Sequence, residues 1–370
     1  MKKGHGVRKV LVCGAAFAAT CVSAVAVPGG AQATSPVPTP PASAPSPSVT
    51  ADEDAGTAPP SDAPSDGAPG SLSPSRPNPG EARPDGEDDG TVRAEAVMVT
   101  TELPNSRTYA YGDDPAQRLD AYWHDAEPGT PARPAVLILH GGYWLHGDKS
   151  DWKYIARRLT DEGYVVMSAN YRLAPRAHWP AQRDDALAAL AFIKNNARRW
   201  NVDPRRVAVI GASSGGHLAT QLGTFGTGGA QVRGVVALSP VTQPLLAYQD
   251  GGRPSARASQ RKLRLAVTRL LNCDPGVPGD PRCAAKAKDA DAASHASAGD
   301  APMLLMHTVG DFVPITHSIG LAGALRGAGV PVTVKSLEGN MHASGLLAGE
   351  KTYPTILAWL RNRLNPTPTE

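Results

Sequence analysis

The segment from Arg206 to Leu222 restricts the architecture more than any other part of the chain. Arg206-Val207-Ala208-Val209-Ile210 has the composition of a strand, Gly211-Ala212-Ser213-Ser214-Gly215-Gly216 follows at once, and His217-Leu218-Ala219-Thr220-Gln221-Leu222 reads as helix. A strand, sharp turn and helix with Gly-x-Ser-x-Gly at the turn hold the serine in a strained conformation at the carboxyl end of a sheet, hydroxyl outward. Gly211 and Gly215 stand two residues before and after Ser213 and leave room for strand and helix to approach. An ordinary glycine-rich turn has the same local composition, so the reading depends on partners elsewhere in the chain.

Those partners are present. Ala135-Val136-Leu137-Ile138-Leu139-His140 has the length and apolar continuity of a buried strand and ends in Gly141-Gly142-Tyr143-Trp144. Backbone N–H groups of the Gly141-Gly142 pair, together with that of Ser214, are the donors that an oxyanion needs. Met303-Leu304-Leu305-Met306-His307 reads as another buried strand and places Asp311 just past its end. Val332 to Leu337 alternates as the next strand, and His342 follows in the glycine-containing loop Glu338-Gly339-Asn340-Met341-His342. The order Ser213, Asp311, His342 is that of an α/β-hydrolase triad. His342 would take the Ser213 proton, while Asp311 would hold the imidazole tautomer and stabilise its cation. Asp300 and Glu338 are alternative acids, less well placed after a strand end. His307, His217 and His140 are expected to be structural, His140 by bracing the oxyanion turn.

With these residues in hand, the chain resembles the secreted bacterial α/β-hydrolases of the hormone-sensitive-lipase-like and feruloyl-esterase-like group. The matching pieces are His140-Gly141-Gly142-Tyr143-Trp144, Tyr171-Arg172-Leu173-Ala174-Pro175, Trp179-Pro180-Ala181, Asp185-Ala186, Gly211 to Ala219, and Val313-Pro314 after Asp311. They run from roughly residue 97 to 365. The resemblance implies oxyanion donors at Gly142 and Tyr143. There are departures: Tyr143 replaces a glycine common in lipase-like members, Thr308 stands where a glycine usually follows the strand histidine, and Ala212 replaces a frequent acidic residue. They point to the feruloyl-esterase-like and formamidase-like branch. The implied activity is hydrolysis of a small-molecule carboxylic ester, with arylformamidase or peptidase chemistry, or non-catalytic binding on the same fold, as alternatives. Tyr143 at the oxyanion turn leads to an expected preference for short acyl chains; Trp144 and the Trp179 segment are further candidates for apolar bulk there.

The chain of 370 residues opens with a basic segment (Lys2, Lys3, Arg8, Lys9), a small apolar stretch from Val10 to Val27, and Ala31-Gln32-Ala33. This reads as a secretory signal cut after Ala33, not a membrane anchor, so the expected location is extracellular or at the cell envelope. Residues 34–90 are rich in Pro, Ala, Ser, Gly and Asp, and cannot bury enough apolar surface to offset their ordering entropy. They are read as a disordered linker, leaving one catalytic domain over 91–370. Removing the four basic residues of the signal takes the net charge from +3 to −1. The linker holds ten acids and two bases, a charge of −8, so the remaining domain carries +7. Its densest basic cluster, Arg257 to Arg269, is interleaved with Leu263, Leu265, Val267, Leu270 and Leu271, as in an amphipathic helix, which argues against nucleic-acid binding.

Two cysteines remain after processing, Cys273 and Cys283, and an even pair in an exported protein reads as one disulfide. The pattern contains no metal-ligand spacing and no phosphate-binding glycine loop, so neither a metal nor another cofactor is expected. Strands are expected near 97–101, 107–111, 118–123, 135–140, 164–169, 206–211, 232–238, 302–307 and 331–337, with helices near 151–162, 181–199, 214–224, 315–327 and 351–363. The resulting fold is α/β: a mostly parallel sheet with helices on both faces and an antiparallel edge, because no helix separates the first strands. Residues 241–300 interrupt the alternation and are read as a small cap insertion, with a helix over 257–272 as its main element.

Overall fold

The computed structural model describes residues 102–365. The expected signal sequence, the linker and the strand over 97–101 lie outside the described residues. The strands are β1 (Asn105–Ala110), β2 (Arg118–Trp123), β3 (Arg133–Leu139), β4 (Val165–Ala169), β5 (Val202–Ala212), β6 (Gly234–Leu238), β7 (Met303–Thr308) and β8 (Val332–Leu337). The helices are α1 (Lys153–Asp161), α2 (Ala181–Asn195), α3 (Ser214–Thr224), α4 (Gly228–Gln231), α5 (Pro244–Asp250), α6 (Ala258–Leu271), α7 (Pro281–Ala290), α8 (Thr316–Gly327) and α9 (Thr352–Leu364).

The eight strands form one sheet in the order β1-β2-β4-β3-β5-β6-β7-β8. β1 pairs with β2, and β2 with β4, antiparallel, whereas every pair from β4 to β8 is parallel. The period-2 alternation of side chains divides the central strands between two cores. Ala135, Leu137 and Leu139 of β3 join Val207 and Val209 of β5 on one face, over α2 and α3. Val136 and Ile138 join Ala208 and Ile210 on the other, against α1 and α9. A parallel strand covered on both faces has no polar side, which explains the unbroken apolar runs.

Of the element boundaries that differ from expectation, three have a visible local cause. The helix expected at 151–162 starts as a 3-10 turn, Lys149–Trp152, because Asp148 accepts from the Ser150 N–H and nucleates it upstream. α2 stops at Asn195, where Asn196 Nδ2 donates to the Phe192 carbonyl and a separate 3-10 turn, Ala197–Trp200, begins. β5 starts at Val202 because that residue pairs with Arg133, ahead of a register shift to Ala135.

The insertion after β6 contains α5, α6 and α7, with α6 in the place of the helix expected as its main element. α6 is amphipathic, burying Leu263, Ala266, Val267, Leu270 and Leu271, and ends at Asn272 in the left-handed region (φ 54°). α7 opens on Asp280, whose carboxylate accepts from the N–H groups of Arg282 and Cys283, with Pro281 next. Cys273 and Cys283 are bonded to each other across the intervening loop, with Cα atoms 5.8 Å apart.

Candidate active site

The carboxyl ends of β3, β5, β6, β7 and β8 are successive neighbours along the sheet, and each is followed by a segment of the candidate site. After β5, Ser213 has φ 53° and ψ −115°, a sparsely populated conformation for a side-chain-bearing residue. It persists because the surroundings determine it. The Ser213 N–H donates to the Leu238 carbonyl (2.8 Å), and its own carbonyl accepts from the His217 N–H (3.0 Å). The flanking glycines are required sterically. A Cβ on Gly215 would lie 2.2 Å from the Leu139 carbonyl oxygen, and one on Gly211 would lie 2.2 Å from that of Gly215.

The turn after β3 passes over the serine. Gly142 has φ 122°, and Tyr143 (φ 59°) and Trp144 (φ 60°) continue in the left-handed region. A Cβ on Gly141 would lie 3.3 Å from Ser213 Cβ. Among the described residues, the N–H groups of Gly142, Tyr143 and Ser214 donate to no protein acceptor, which leaves them free for a bound oxygen. His140 braces this turn, as expected: its Nδ1 bonds the Gly141 carbonyl (2.8 Å), and its ring stacks on Tyr171 at 4.4 Å. The Tyr171 hydroxyl donates to the His140 carbonyl at 3.0 Å. The neighbouring Arg172 forms a bidentate pair with buried Asp185 (Nη2–Oδ1 2.7 Å, Nε–Oδ2 2.9 Å), which fixes the loop that carries Tyr171.

Asp311, after β7, meets His342, after β8. His342 Nδ1 lies 2.7 Å from Asp311 Oδ1, which also accepts from the Val313 N–H at 3.0 Å. Burial raises the affinity of the Asp311 carboxyl for a proton, but the bonds from His342, Ser239 and Val313 outweigh it and hold the group below the usual carboxylate range. The rival acids lie elsewhere. Both Asp300 oxygens serve Ser297, and Glu338 is exposed. His307 is buried between the Val313 carbonyl and the Ser318 hydroxyl, and burial lowers its pKa to about 4.

His217 packs one turn into α3, receiving the Trp144 indole N–H at Nδ1 (3.2 Å) and contacting the Ala290 carbonyl through Nε2 (2.7 Å). Burial lowers its pKa to about 4. The same contacts show which way the two tryptophans point. Trp144 and Trp179 both pack on His217, at 5.4 and 5.2 Å, and are buried in the core. They therefore do not supply the apolar bulk beside the serine. The aromatic rings at His342 are others: Tyr143 and Phe312 stack at 6.0 Å, and Phe312 packs on the His342 ring at 4.1 Å.

The cap meets this site along α6. Arg257 donates to the Gly310 carbonyl (2.8 Å), and Lys262 Nζ lies 4.6 Å from the centre of the Tyr143 ring. Sequence reading missed Phe312 and Ser239. The latter is a fully buried serine directly after β6, and its hydroxyl donates to Asp311 Oδ2 and accepts from the Ala343 N–H (2.9 Å). The one sequence signal for Ser239 is a polar residue closing an otherwise apolar strand.

The arrangement can generate a nucleophile. With Nδ1 committed to Asp311, His342 Nε2 has no hydrogen-bond partner among the described residues and can act as a base, and the strained serine is flanked by the Ser214 N–H and the turn that carries the Gly142 and Tyr143 N–H groups. Known proteins agree with the architecture. The esterase LipC of Mycobacterium tuberculosis is 29% identical over 263 residues, which cover 68% of this chain and 63% of LipC. A probable isoprenylcysteine alpha-carbonyl methylesterase of Oryza sativa is 34% identical over 113 residues, 30% of this chain and 26% of the relative. The chain thus spans less than two thirds of either relative. Among solved structures, the carboxylesterase EstE1 from a metagenomic library superposes with a TM-score of 0.59 at 24% identity, over 72% of this chain and 92% of EstE1. The family model for BD-FAE matches residues 119–325, from β2 through most of α8. The chain therefore belongs to the BD-FAE family and has the α/β-hydrolase fold.

Proposed function

We propose that this protein is a serine hydrolase that cleaves carboxylic esters through an acyl-enzyme. The observation that carries the proposal is the His342–Asp311 bond of 2.7 Å, taken together with a serine in a strained strand-to-helix turn. Ser213 Oγ attacks the ester carbonyl while His342 Nε2 takes its proton. The carbonyl oxygen becomes an oxyanion held by the N–H groups of Gly142, Tyr143 and Ser214, a type of contact that contributes about 3–4 kcal/mol per donor to barrier lowering. His342 then protonates the departing alkoxide, and water, activated by the same imidazole, releases the acid and restores Ser213. Asp311 stays ionised throughout and stabilises the imidazolium. The names of the curated relatives, an esterase and a probable methylesterase, support ester over amide chemistry.

Short acyl groups are the proposed substrates. Phe312 packs on the His342 ring and Tyr143 stacks on Phe312, so the two rings narrow the space beside the reacting carbon. Each methylene that a pocket fails to accommodate costs roughly 1–3 kcal/mol in discrimination. Export is proposed as well: a mature chain beginning at Thr34, with the Cys273–Cys283 bond formed outside the cell. A 4-nitrophenyl ester series from acetyl to decanoyl, run beside an aryl formamide, tests the chemistry. The expected result is the highest kcat/KM at acetyl to butyryl. A maximum at decanoyl would overturn the short-chain reading, and a formamide preferred over every ester would overturn the ester reading. Intact-mass analysis of the exported protein tests the start site and the bond.

A further inference from the structure

Among the described residues, one side chain hydrogen-bonds both the acid and the backbone beside the base. Ser239 directly follows β6, between the β5 end that carries Ser213 and the β7 end that carries Asp311. Its hydroxyl donates to Asp311 Oδ2, the carboxylate oxygen that His342 does not use, and accepts from the N–H of Ala343, the residue after His342 (2.9 Å). Ser239 is itself held firmly. It is fully buried, and its backbone N–H donates to the Met306 carbonyl of β7 at 2.7 Å.

Backbone strain marks the same point. Ser239 (φ 47°) and Ala343 (φ 53°) both occupy the left-handed region, which side-chain-bearing residues seldom adopt. The two strained residues face each other across the single hydrogen bond from Ala343 N to Ser239 Oγ. Strain of this kind persists only where surrounding contacts over-determine it.

We propose that Ser239 is a positioning residue of the reaction, whose hydroxyl fixes the plane of the Asp311 carboxylate and, through Ala343, the approach of His342. The inference rests on the proposed acyl-enzyme chemistry. With Oδ1 bonded by His342 and Val313, an unanchored Oδ2 would let the carboxylate rotate about its Cβ–Cγ bond. Freed from Ser239, the chain after His342 would lose the contact that sets its depth against β6. Neither change touches the substrate, so the cost falls on the chemical step and not on binding.

The test uses Ser239→Ala and Ser239→Gly in the full chain, assayed on 4-nitrophenyl butyrate with thermal unfolding in parallel. Both remove the hydroxyl, but only glycine relieves the strain at φ 47°. The expected result is a fall in kcat of about ten- to a hundredfold in both variants, the scale of a small misplacement of catalytic groups, with KM changed less than about twofold. A purely structural role gives a different pattern: glycine recovers wild-type kcat, or kcat follows the folded fraction. Either outcome overturns the assignment. Adding Ser239→Ala to Asp311→Asn should cost about threefold or less, because Ser239 acts through the carboxylate; full additivity would also overturn it. If the wild type neither turns over an ester nor is labelled by a fluorophosphonate, the esterase reading fails and this assignment falls with it. If the wild type is active and both variants match it, only the Ser239 assignment fails.

Discussion

The floor of the site and the cap above it are built on opposite plans. The floor is made from strand ends: Ser213, Ser239 and Asp311 are nearly or fully buried, and Tyr143, Ser213, Ser239 and Ala343 all have positive φ. Ser213 and Ser239 are fixed by backbone bonds to neighbouring strands, and Asp311 and Ala343 by the Ser239 hydroxyl. The cap touches the floor through long cationic side chains. Lys262 lies over the Tyr143 ring (4.6 Å), and Arg257 reaches the Gly310 carbonyl. At its far end the cap is anchored by Asp289, which accepts from the Trp179 indole (2.7 Å) and pairs with Arg183 (3.0 Å). The contrast teaches that strain is held where many bonds converge, while substrate fit is left to side chains that can adjust at low cost.

If this contrast is right, floor substitutions should abolish chemistry and cap substitutions should tune it. Ser213→Ala carries the largest expected effect: kcat/KM falls at least about a thousandfold with folding intact, leaving only the contribution of the oxyanion donors. Substantial fluorophosphonate labelling of that variant would remove Ser213 as the nucleophile. Asp311→Asn should cost about a thousandfold or more, because the amide favours the wrong His342 tautomer. A loss of tenfold or less would mean that the 2.7 Å contact is only structural.

His217 tests the joint between floor and cap, since it bonds Trp144 on one side and Ala290 on the other. Its pKa is lowered by burial to about 4, against about 6.5 for a free imidazole, so the folded state requires the neutral ring. The sign follows: this contribution is complete above about pH 6.5 and is lost as pH falls toward 4. His307 and His317 are shifted in the same direction by burial. Urea midpoints should therefore fall between pH 7 and 4.5, and His217→Gln, which keeps a donor and an acceptor, should make that fall shallower. An equal slope in the variant would show that the joint does not titrate.

Removing the Cys273–Cys283 bond by a double alanine substitution should destabilise the protein by about 2–3 kcal/mol, the entropy of a short closed loop. Because the bond lies in the cap, kcat should stay within about twofold. Lys262→Ala is expected to do least: KM changes about threefold or less, kcat is unchanged, and stability shifts by under about 1 kcal/mol, as for other exposed cation–aromatic contacts. A loss of kcat comparable to that of a floor variant would break the comparison.

Much of the floor was legible in the sequence because its parts are local. Gly-x-Ser-x-Gly and the glycine pair after β3 are backbone requirements, and the unbroken apolar runs follow from burial on both sheet faces. Asp311 and His342 could be read as residues just past strand ends. The cap was legible only as an insertion. Its three helices depend on Asp280 capping α7, on Asn272 ending α6 in the left-handed region, and on the apolar face of α6 finding a partner. Trp144 and Trp179 could not be oriented from spacing, because their indoles bond His217 and Asp289, which are distant in sequence.

By itself, the sequence determined the strand–turn–helix around Ser213, the alternation that makes a parallel sheet, and the chain order Ser213, Asp311, His342. These are short-range properties of backbone sterics and side-chain periodicity. Only the tertiary structure decided that Asp311, and not Asp300 or Glu338, meets His342. It alone put Phe312 on the imidazole and joined Ser239 to two loops at once. Those pairings depend on which strand ends become neighbours in the sheet. That order is set by long-range burial across the whole domain, and no local segment encodes it.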